Sequence, residues 1–136
     1  MEQQMKELIK KLGYTDKVAE DFIKMVNGWK DRQGMPVLIS WEQRLNQAQQ
    51  EYIRGKISKG QFAKVEKSIV KKLSQRIQKE IGLADDTKYK QVTCLKYSHV
   101  VHVLGRSIGL SLKAIREVEL MTRSQPRKNR IQKTFS

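Results

Sequence analysis

Between Arg54 and Lys79 the apolar residues Phe62, Val65, Ile69, Leu73 and Ile77 recur every three or four positions. At about 100° per residue they fall on one narrow face of an α-helix. The same stretch holds nine basic residues and one acid, Glu66. Lys64, Lys67, Lys71, Lys72 and Lys79 fall mostly opposite the apolar face. Arg76 sits at its edge, where the aliphatic stem can pack and the charged head reach water. A segment patterned this way needs cover on one side only. It predicts one long helix and a bundle to bury its stripe.

The rest of the chain reads the same way. Strand-like alternation is absent, and the two prolines lie outside the periodic segments. Met5, Leu8, Ile9 and Leu12 make one face of a first helix over residues 2–12, stopped at Gly13. Thr15 or Asp16 caps a second, which runs to about Lys30 with Phe22, Ile23, Val26 and Trp29 as its stripe. After a loop containing Gly34 and Pro36, Ser40 with Gln43 three residues on suggests a capping box. Trp41, Leu45, Ala48 and Tyr52 line the third helix. Ser58 with Gln61 forms a second capping box and opens the long fourth helix, which stops at Gly82. A fifth runs from Asp85 or Asp86 to Gly109, and Ser111 caps a sixth. From Ser124 onward, SQPRKNRIQKTFS has four basic residues, no acid and no periodicity. The expected fold is all-α, a compact bundle of five to six helices over residues 1–123 with a basic tail at 124–136.

The chain has 136 residues, with 28 Lys+Arg against 14 Asp+Glu and a formal charge of +14. An excess this large is more than solubility requires and points to a polyanionic partner, nucleic acid first. Lysines along one helix face suit point contacts to phosphates better than bidentate reading of bases. The aromatics are capable of stacking on unpaired bases, but most stand at core spacing. The expected contact residues are Lys64, Lys67, Lys71, Lys72, Arg76 and Lys79, with Arg123 and the tail cations Arg127, Lys128, Arg130 and Lys133. Cys94 is the lone cysteine, so no intramolecular disulfide is possible and a reducing compartment is expected. The N-terminus lacks the apolar core of a signal peptide, and no apolar run approaches the roughly 20 residues of a bilayer span. A cytoplasmic protein is the expectation.

Residues 101–120 carry a second signal. Gly109 has a small residue, Gly105, four positions before it. Ile108 and Leu110 flank the turn, Ile115 stands six after it, and Val118 supplies the next core position. This segment resembles a helix-turn-helix. The resemblance implies a reading helix whose Ser111, Lys113, Arg116 and Glu117 face the major groove of DNA.

His99 and His102 are three apart, with Cys94 five before, but no acid on that helix joins them. That is no zinc motif, and no metal or cofactor is expected. Walker, GxGxxG and GxSxG signatures are absent, so catalysis is not expected. The cations are spread over helices one, four and six and the tail. In that respect the small, basic, all-helical chain resembles the small subunits of CRISPR effector complexes. That architectural resemblance implies a non-catalytic subunit that contacts the phosphate backbone in a larger nucleoprotein, beside other subunits or copies of itself. Two other readings stand beside it: a helix-turn-helix transcription regulator, and an adaptor that binds an acidic protein or an anionic membrane through its amphipathic N-terminal helix.

Overall fold

The computed structural model describes the backbone of residues 1–82 and 86–135, and side chains for 1–82 and 87–123. Among the described residues the chain is all-helical, with α1 Glu2–Lys11, α2 Asp16–Asn27, α3 Val37–Ile53, α4 Lys59–Ile81, α5 Asp86–Thr93, α6 Tyr97–Ile108 and α7 Leu112–Phe135. None of these helices is long and apolar enough to cross a membrane.

Local chemistry sets most of the boundaries. Thr15 Oγ1 accepts from the Val18 N–H and starts α2. Ser58 and Gln61 satisfy each other's backbone N–H groups at 2.7 and 3.1 Å and start α4. The Ser40 capping box does not form. Ser40 Oγ instead donates to Asp31 Oδ2, while Asp31 Oδ1 accepts from the N–H groups of Gln33 and Met35. That carboxylate closes the loop tightly, a Lys30–Pro36 bridge seals it, and α3 begins directly after Pro36.

The expected fifth helix is two helices, which makes the count seven rather than five to six. Cys94 takes a left-handed φ of 64° between α5 and α6. Thr93 Oγ1 donates to the Tyr89 carbonyl at 2.6 Å and accepts from the Leu95 N–H at 3.0 Å. The hydroxyl thus caps both arms of the bend. The bend puts Tyr89, Leu95 and Tyr97 all at zero exposure, which a straight helix would not achieve.

At the centre lies α6, packed against α1, α3, α5 and α7. Its Val100, Val101, Val103 and Leu104 are fully buried. Met5 and Ile9 of α1 are buried with them. In the folded chain the apolar face of the N-terminal helix packs into the core through these two residues. α4 lies against α3 on one side and α7 on the other. Its Ile69, Val70, Leu73 and Ile77 have no exposure. Glu66 Oε2 accepts from the Ser111 N–H, Thr122 Oγ1 donates to Ser74 Oγ, and Gln78 Nε2 donates to the Thr122 carbonyl at 2.8 Å. These bonds lay α7 parallel to α4 over about three turns. The backbone of residues 124–135 continues α7. Their side chains, and with them Arg127, Lys128, Arg130 and Lys133, lie outside the described residues, as does Ser136.

Candidate nucleic-acid interface

The third side of α4 faces water. Lys64, Lys67, Lys71, Lys72 and Lys79 are all exposed there. None of the five forms an ion pair among the described residues. From Lys64 to Lys79 the stripe is about 22 Å long, at about 1.5 Å rise per residue. The one acid in this region, Glu66, is taken away from it. Its carboxylate holds the Ser111 N–H at the start of α7, where the positive end of the helix dipole favours it.

Arg76 is different. It is half-buried and bonded to Glu80 at 2.9 Å, and its other terminal nitrogen donates to the Lys30 carbonyl. It acts as a fixed cation at the edge of the stripe rather than a free one. Beside it lies a shallow cleft of about 250 Å³ lined by Trp41, Lys72, Gln75, Arg76 and Lys79. Trp41 comes from the start of α3, and its spacing predicts a place in the core. It is half-buried and packs partly on the core while one part lines the cleft. The spacing of Trp41 with Leu45 and Ala48 marks the edge of a buried face. Nothing in the sequence says that this edge meets α4 at Lys72.

Most of the other described aromatics are committed to the fold, while Tyr52 keeps 40% of its surface exposed. Trp29, Tyr89 and Tyr97 are buried. Tyr52 stacks on Phe62. Tyr14 Oη accepts from the Lys96 N–H and lies 2.7 Å from His99 Nδ1. Burial first, then the nearby Lys96 and His102, lower the pKa of His99 below its ordinary value. Among the described residues no three metal-ligating side chains converge.

The α6–α7 corner has the tight build its sequence implies. Gly109 adopts φ 100° and ψ 19°, the left-handed conformation that ends α6. A Cβ on Gly105 would stand 2.5 Å from Ile115 Cγ1, so the two helices cross with glycine as their contact. Lys113 and Arg116 are exposed on the first turns of α7, with Glu117 half-buried. Ser111 is the cap, its Oγ accepting from the Ala114 N–H. Arg123 lies 4.4 Å above the ring of Tyr97 and 3.8 Å from Glu119. Burial pushes the Tyr97 phenol up to about 12. It stays protonated and donates to the Glu119 carbonyl. The structure therefore gathers the α4 cations into one stripe, leaves Lys113 and Arg116 on the neighbouring helix, and occupies Arg123 and Ser111 structurally.

A larger cleft of about 370 Å³ opens between α3 and the end of α6. Glu42 offsets Arg106 in its lining, which leaves the cleft without the net positive charge that a polyanion needs. Comparison with protein-family models, with curated proteins and with solved structures finds no match to this chain.

Proposed function

We propose that the chain is a non-catalytic nucleic-acid-binding protein that holds the phosphate backbone along the exposed face of α4. The observation that carries this reading is the stripe itself. It presents five lysines along one face of α4 without an ion pair among the described residues, and the two acids of that helix are engaged elsewhere, Glu66 by the Ser111 N–H and Glu80 by Arg76. At about 3.4 Å per phosphate of one duplex strand, 22 Å spans about six phosphates. Point charges along a rigid helix favour backbone contact over base reading, so weak sequence preference is expected. A place beside other subunits in a larger nucleoprotein, as in the small subunits of CRISPR effector complexes, belongs to the same proposal.

The test is binding to mixed-sequence duplex DNA, single-stranded DNA and RNA across a range of salt. Affinity should fall steeply with salt on all three. Replacing Lys64, Lys67 and Lys71 by Gln should flatten the duplex slope by about 0.9 for each phosphate that the variant no longer neutralises. An unchanged slope would remove the α4 face from the interface.

The α6–α7 corner supports a second reading, a helix-turn-helix that reads duplex DNA. The bend at Cys94 shortens the first helix of the pair to 12 residues, a length that suits the motif. Under this reading one selected duplex binds far more tightly than random sequence, and Lys113→Gln or Arg116→Gln relaxes that preference.

A further inference from the structure

We propose that the cleft between α3 and α4 takes one unpaired base of a single-stranded nucleic acid, stacked on Trp41, with the adjoining phosphates on Lys72 and Lys79. The inference rests on the backbone-binding reading above and adds strand type to it. Lys72 and Lys79 belong to both the stripe and the cleft, so a strand lying along the stripe passes the cleft mouth.

Three observations make the cleft a base site rather than only more positive surface. First, of the two tryptophans, Trp29 is 3% exposed and serves the core, while Trp41 keeps part of its surface on the cleft. No hydrogen bond engages the Trp41 indole N–H among the described residues, so its polar edge is free to meet a base or phosphate oxygen. Second, no acidic side chain lines the cleft. Arg76 is held at the cleft wall by Glu80 and the Lys30 carbonyl, which fixes its planar guanidinium there. The Gln75 amide supplies one donor and one acceptor to a base edge. Third, the space of about 250 Å³ is small and open on one side. A flat base fits it with the sugar and phosphate outside. A base stacked within a duplex cannot enter, so the cleft selects unpaired strands.

The experiment measures affinity from the anisotropy of three end-labelled probes, a short oligodeoxythymidylate, an abasic phosphodiester strand of equal length and a mixed-sequence duplex, and follows the tryptophan emission of the full chain alongside, with polyglutamate as a control polyanion. The expected result is an affinity for the oligodeoxythymidylate about ten-fold or more above that for the abasic strand. Emission should be quenched by the former and not by the latter. Trp41→Ala should abolish the difference while duplex affinity stays within about two-fold. Trp41→Phe, which keeps a ring and the packing, should retain part of it, guarding against a fault in folding. Equal affinity for the base-bearing and abasic strands, with duplex binding intact, would overturn the cleft proposal and leave the backbone reading standing. Absence of binding to all three at low salt would overturn both. Quenching by polyglutamate equal to that by the oligonucleotide would overturn the base site in favour of an acidic protein partner.

Discussion

Two glycines show how single residues are fixed by different physics. Gly105 lies where α6 crosses α7, and an added Cβ would meet Ile115 Cγ1 at 2.5 Å and Cδ1 at 3.1 Å. Gly105→Ala gains up to about 1 kcal/mol of helix propensity, but the overpacking costs about 1–3 kcal/mol. A net loss of about 1–2 kcal/mol is expected by denaturant unfolding, and the Gly105→Ala/Ile115→Ala double variant should show favourable coupling. Gly60, in the first turn of α4, has only Ser58 Oγ at 3.8 Å from the same added atom. There the steric term vanishes, and Gly60→Ala should stabilise by about 0.5–1 kcal/mol. The spacing of Gly105, Gly109 and Ile115 made the first case legible in the sequence. Trp41 was not legible as part of a site, because its role depends on where α3 meets α4.

Among elements, α4 was the most readable and the α5–α6 pair the least. The α4 periodicity, its capping box and its lysine face all appear in the structure as the sequence orders them, because each depends on residues within a few turns. The break at Cys94 has no glycine or proline to announce it. It follows from a Thr93 hydroxyl that satisfies the bend, and from the need to bury Tyr89 and Tyr97 together with their rings 4.8 Å apart. Ser40 does not cap because α3 begins three residues earlier, after Pro36, which leaves Ser40 inside the first turn with its N–H bonded to the Pro36 carbonyl and its hydroxyl to Asp31. The α4 face also carries a measurable conflict. Lys67 and Lys71 are like charges at i,i+4, which costs a few tenths of a kcal/mol, and Lys64 lies three residues before Lys67. Lys67→Glu converts both pairs to attractions, so it should raise stability by about 1 kcal/mol at low salt. The same variant should weaken nucleic-acid binding and flatten its salt slope by at least about 0.9. Stability and binding moving in opposite directions would show that the face is kept for a partner; both falling together would mean that the lysines support the fold.

For the whole molecule, pH and salt read two long-range features. Tyr14, after α1, bonds both His99 and the backbone of Lys96, and so ties the N-terminal hairpin to the start of α6. His99 has a folded pKa below its ordinary 6.5. As pH falls below that value the unfolded chain binds a proton that the folded chain resists, so ν for the unfolded state is the larger and stability drops. The contribution is complete above 6.5 and is lost as pH falls through the lower, folded value. His99→Gln should therefore flatten the acid side of a Tm-against-pH profile. Charge acts over the whole surface. With +14 and five unpaired lysines on one helix, self-repulsion opposes the compact state. Salt screens it, with a Debye length of about 10 Å at 0.1 M. The free chain should therefore gain thermal stability as salt rises from a low level. Bound to duplex DNA at low salt it should be stabilised by mass action, and that gain should shrink as salt releases the ligand. The two melting curves then approach each other from opposite sides and meet at high salt. A free chain whose Tm falls with added salt would mean that its cations are already compensated within the fold, and the charge would no longer call for a polyanion.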